Sequence, residues 1–146
     1  MRAKRPGSGA RGDLANAIAL HRGGYLDKAR RIYEMLLAAD PHHVEALHFL
    51  GVLHHQRGES DRAVASIEQA IRLAPDYADA HNNLGNVLKE LGRLEPAFRA
   101  YRQVVELAPT HADAWNNLGV LLRGQRLYDE ADEAYRQAIA ANPAHV

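Results

Sequence analysis

Identical residues recur 34 positions apart in this chain: Leu50, Leu84 and Leu118, then Gly51, Gly85 and Gly119, then Ala63, Ala97 and Ala131. Pro41, Pro75, Pro109 and Pro143 keep the same interval, and ADAHNNLG at 78–85 returns as ADAWNNLG at 112–119. A period of this length marks a short supersecondary unit repeated in a linear stack, each unit burying its apolar face against its neighbours.

Within one period the apolar residues fall three and four apart. Ala80, Leu84, Val87, Leu88 and Leu91 form one stripe, and Ala97, Tyr101, Val104, Val105 and Ala108 form a second after the break at Gly92 and Arg93. That spacing predicts two amphipathic helices joined by a tight turn, and no segment alternates with the period of two that a strand requires. Each proline follows a second helix, and Asp76 and Thr110 are placed to cap the next first helix. Pro96 sits in a first turn, where its missing amide hydrogen has no partner to lose. Gly85 and Ala97 are expected where helices cross closely, with Tyr33, Ile67, Tyr101 and Tyr135 filling wider gaps; overpacking at Gly85 should cost about 1–3 kcal/mol.

Four segments result: a degenerate 10–43, with Asn16 and Ala17 in place of leucine and glycine, then 44–77, 78–111 and 112–145. Residues 1–11, rich in Arg, Lys, Pro, Gly and Ser, are expected to be a flexible basic leader, and 12–146 the array.

Lys and Arg total 18, as do Asp and Glu, so net charge gives no attraction to nucleic acid or to an anionic membrane surface. The chain has no cysteine, which excludes disulfides and thiolate chemistry. It has no secretory signal pattern and no apolar run of about 18 residues, so a cytoplasmic location is expected.

The residues Trp115, Leu118, Gly119, Leu122, Ala131, Tyr135, Ala138 and Pro143 together resemble the tetratricopeptide repeat. The resemblance takes in most of the chain, the first copy mainly through Gly24, Ala29, Tyr33 and Pro41. It implies an all-α, right-handed superhelical solenoid of about four helix pairs, whose first helices line a concave, non-catalytic groove for peptides or partner proteins. By position in the repeat, the groove takes His48 and Phe49 from the second copy. Asn82, Asn83, Asn86 and Lys89 come from the third, and Asn116, Asn117 and Arg123 from the fourth.

Asparagine is a mediocre helix former, so five in one groove call for a reason. A carboxamide carries donors and an acceptor and can hold both the N–H and the C=O of an extended peptide without reading its side chains. First helices roughly 10 Å apart match about three extended residues at 3.3–3.6 Å each, so Asn83 and Asn117 would meet every third peptide unit. The pattern is similar to the asparagine ladder of O-linked N-acetylglucosamine transferases, whose repeats also carry NNLG. Ala15 and Phe49 occupy the equivalent places in the first two copies, so two rungs remain and Phe49 offers an apolar contact. His48, Lys89 and Arg123 would supply side-chain preference.

Other chemistries are poorly supported. The lysine and arginine clamp that holds the carboxylate tail of chaperones in related arrays is missing, with Asp113 at one of its places. His48 and His55 share a helix face but lack converging partners, so no metal is expected. Gly7, Gly9 and Gly12 spell GxGxxG without the strand and sheet that motif needs. No cofactor and no catalytic residue emerge.

After Pro143 the sequence reaches the point where another repeat would begin, leaving Tyr135, Ala138 and Ile139 as an expected self-association face. The leading expectation is a peptide-binding or protein-binding scaffold. The alternatives are the substrate-recruiting part of a larger glycosyltransferase-like enzyme, or an assembly module that forms a homodimer or continues into further repeats.

Overall fold

A computed structural model describes residues 8–142. Among them are eight helices and no strand: α1 (Ser8–Arg22), α2 (Leu26–Ala39), α3 (Val44–Gln56), α4 (Ser60–Leu73), α5 (Ala78–Glu90), α6 (Leu94–Leu107), α7 (Ala112–Gly124) and α8 (Tyr128–Ala141). The helix opens at Ser8, so the leader boundary expected at residue 11 falls inside α1, while residues 1–7, Pro143 and the last three residues lie outside the described part. Among the described residues no helix is long and apolar enough to cross a membrane.

Two compact units divide the chain at Pro75 and Asp76. In the first, α1 packs on α2 and α3 on α4, with α2 also against α3; in the second, α5 packs on α6 and α7 on α8, with α6 against α7. Ala29, Ala63, Ala97 and Ala131, one per second helix, are all essentially inaccessible.

The recurring glycines have a specific neighbour. A Cβ on Gly85 would lie 2.6 Å from the Tyr101 ring, one on Gly119 would lie 2.6 Å from the Tyr135 ring, and one on Gly51 would lie 2.5 Å from Ile67 Cγ1. The large residue of the second helix therefore sits on the bare backbone of the first, and glycine and tyrosine are two halves of one contact.

A second use of glycine occurs at the tight turn inside each pair. Gly24, Gly58 and Gly92 adopt φ of 85°, 75° and 75°, the left-handed region that a side chain disfavours, and Arg126 takes φ 63° at the corresponding place in the last pair.

The first helices are not capped by Asp76 or Thr110 as expected. The capping position lies one residue later. His43 and His111 occupy it, each accepting a backbone N–H through Nδ1 at 3.2 Å, from Ala46 and Ala114 respectively. Tyr77 stands at the same place before α5 with no side-chain cap. An imidazole nitrogen that accepts is unprotonated, so His111 donates through Nε2 to Asp79 Oδ1 at 3.0 Å and joins α7 to α5.

Candidate functional site

The second unit carries its asparagines on α5 and α7, where the 34-residue period puts successive first helices in the same register. Tyr101, fully buried on α6, donates its hydroxyl to Asn86 Oδ1 at 2.6 Å. Burial drives the Tyr101 pKa up, which keeps the phenol protonated as a donor. Asn117 on α7 donates Nδ2 to Asn82 Oδ1 and to Asn86 Oδ1, each at 3.3 Å. Four side chains thus form one network from the core of the unit to the α5–α7 face.

This network changes what each asparagine can offer. The Asn117 amide nitrogen is shared between two carbonyl oxygens of α5, and its own carbonyl oxygen is an acceptor. Asn82 is 8% exposed and holds the Asn117 amide, so it acts as a strut. Asn83 and Lys89 are half-buried on α5, and Arg123 is exposed on α7.

Asn116 lies elsewhere. It lines a cleft of about 380 Å³ with Ala112 and Asp113 of α7, Tyr135, Ala138 and Ile139 of α8, and Asn142. The residues expected for self-association are therefore gathered around one depression, in which Ile139 is 56% exposed.

In the first unit Phe49 stacks on Tyr33 with ring centroids 6.2 Å apart and planes 10° from parallel, and the His48 ring lies 4.9 Å from Phe49. Phe49 is half-buried against that unit's core, and His48 is 3% exposed. Both side chains are engaged in packing, which sequence position alone did not reveal. A parallel polar tie runs from Tyr33, whose hydroxyl is 3.0 Å from His21 Nδ1, to Gln56 Oε1, 2.8 Å from His21 Nε2. Burial pushes the Tyr33 pKa up to about 12, so its phenol stays protonated.

Two models described as Tetratricopeptide repeat match residues 76–144 and 10–35, and one described as TPR repeat matches residues 51–92. The chain belongs to the tetratricopeptide-repeat family. No curated protein matches it. Among solved structures it is similar to the Thermobaculum terrenum O-GlcNAc transferase mutant K341M, at 29% identity and TM-score 0.80, covering 90% of this chain and 27% of the transferase. It is also similar to MamA from Desulfovibrio magneticus RS-1, at 24% identity and TM-score 0.78 over 94% of this chain and 77% of MamA. PilF of Pseudomonas aeruginosa aligns at 20% identity and TM-score 0.85 over 92% of this chain and 61% of PilF. The last two likenesses concern the fold alone, an all-α repeat, and the chain spans about a quarter of the transferase. This tetratricopeptide-repeat scaffold thus has two groups of residues to account for: Asn83, Asn86 and Asn117 with the buried Asn82 beneath them, and the cleft between α7 and α8 that Asn116 lines.

Proposed function

We propose that this tetratricopeptide-repeat scaffold binds an extended peptide of a partner protein on the α5–α7 face, holding its main chain with Asn83 and Asn117. The observation that carries this reading is the network in which Tyr101 and Asn86 fix the Asn117 carboxamide before any guest arrives. A side chain already held in one rotamer loses little freedom on binding, which favours affinity. Asn117 accepts a peptide N–H, while Asn82 and Asn86 support it from below. Lys89 and Arg123 add preference for acidic side chains flanking the captured backbone. The repeats themselves perform no chemistry in this reading. The likeness to the transferase repeats supports a variant of it, in which the scaffold recruits substrate to a catalytic domain.

A peptide selected from a library on the native protein provides the test. Asn83→Ala combined with Asn117→Ala should weaken that peptide by about two orders of magnitude, from the loss of two hydrogen-bonding contacts, with helicity by circular dichroism unchanged. Unchanged affinity in the folded double variant rejects the reading.

The α7–α8 cleft favours a second role, self-association through Tyr135, Ala138 and Ile139. Ile139→Glu should shift the protein towards monomer in light scattering at high concentration; a native protein that is strictly monomeric there rejects this role.

A further inference from the structure

A different cleft, of about 390 Å³, lies among α6, α7 and α8 of the second unit, away from the network of Asn82, Asn86 and Asn117. Its apolar walls come from Phe98, Trp115, Leu118 and Leu122, the two leucines being 4% and 7% exposed. The indole is pinned, since Trp115 Nε1 donates to the Pro109 carbonyl at 2.7 Å. Glu106, Glu130 and Glu133, all exposed, supply the acidic lining against a single basic residue, Arg102. Glu133 is loosely engaged on its own helix, 3.8 Å from the Arg136 guanidinium and accepting from Gln137 at 3.1 Å.

An aromatic wall next to an excess of carboxylates is complementary to a cation on an apolar stem, because the ring face and the carboxylates both attract the charge while the stem covers apolar surface. The molecule contains its own example: the Arg102 guanidinium carbon lies 5.9 Å from the centre of the Phe98 ring. We propose that this cleft binds an arginine or lysine side chain of a partner polypeptide, with the stem against Trp115 and Phe98 and the charged end among Glu106, Glu130 and Glu133. Arg102 is then a resident competitor, displaced from Phe98 when the guest enters. This gives the scaffold a second recognition point, for basic side chains, independent of the main-chain capture proposed for α5 and α7.

Trp115 is the only tryptophan in the chain, so its fluorescence reports directly on the cleft. The probes are the blocked tripeptide acetyl-Leu-Arg-Leu-amide and its twin with citrulline, which keeps the shape of arginine and removes the charge. At low salt the arginine peptide should give a saturable change in emission, and the citrulline peptide should bind about tenfold more weakly or worse. Glu130→Gln with Glu133→Gln, and separately Glu106→Gln, should weaken the arginine peptide while far-ultraviolet circular dichroism stays unchanged. Arg102→Ala should tighten it. The response should persist in Asn83→Ala/Asn117→Ala, which separates this site from the peptide-binding face. Equal responses to the two peptides, no saturable response in the native protein, glutamine variants that bind like the native protein, or loss of the response in the folded asparagine variant would each overturn the proposal.

Discussion

Asn117 Nδ2 lies 3.3 Å from Oδ1 of Asn82, 35 residues earlier, and at the same distance from Oδ1 of Asn86, which also receives the buried Tyr101 hydroxyl at 2.6 Å. Removing Asn86 strands that hydroxyl without its acceptor. Asn86→Ala should therefore cost about 1–3 kcal/mol, whereas Tyr101→Phe, which removes the donor itself, should cost about 1 kcal/mol. The two changes should be clearly non-additive in urea denaturation, since they act on one bond.

The fit of Gly85 against the Tyr101 ring leaves no room for a methyl group, given the 2.6 Å that would separate a Cβ from the ring. Gly85→Ala should destabilise the protein by about 1–3 kcal/mol, and Gly119→Ala, facing Tyr135 in the same way, by a similar amount. Gly12→Ala is the control: nothing lies within 4 Å of a Cβ there, so its midpoint in denaturant should not fall.

Arg126 occupies the left-handed turn position that Gly24, Gly58 and Gly92 fill in the other helix pairs. Arg126→Gly removes the clash of Cβ with the neighbouring carbonyl and should stabilise the second unit by up to about 1 kcal/mol, less the entropy that glycine loses on folding. A rise in thermal midpoint checks it. Gly92→Arg should lower the midpoint by a comparable amount.

His54, on α3, is 9% exposed, and burial holds its pKa below the ordinary 6.5 even though Glu59 Oε2 lies 3.5 Å away and pulls the other way. Because the unfolded chain takes up this proton at a higher pH than the folded one, the stability contributed by neutral His54 is complete above pH 6.5 and falls as the pH drops below it. The thermal midpoint should be lower at about pH 5.5 than at about pH 7.5, and His54→Gln should reduce that difference.

Much of the architecture was legible because the repeat and the helix stripe share one cause, burial of the same face in every copy. The break at Gly92 and Arg93 falls between the end of α5 at Glu90 and the start of α6 at Leu94. Serine, threonine and aspartate are the usual caps, which points to Asp76 and Thr110, one residue before the true positions at Tyr77 and His111. The signal for the true position was the recurrence of a histidine two repeats apart, at His43 and His111. The period marks glycine and tyrosine separately, but their contact is between helices and has no local signature. The ties from Asn117 to Asn82 and Asn86 were hidden for the same reason. Repeat position marks every polar residue of a first helix alike, while stacking decides which ones, such as Asn82 and His48, are buried.

Main-chain capture by the asparagines of α5 and α7 is tested most directly by methylating backbone nitrogens of a bound peptide one at a time. If carboxamides from successive first helices hold the main chain, N-methylation should weaken binding about tenfold or more at the positions facing Asn83 and Asn117, spaced about three residues apart, and little between them. Affinity that ignores every N-methyl group and follows side-chain identity alone would contradict it.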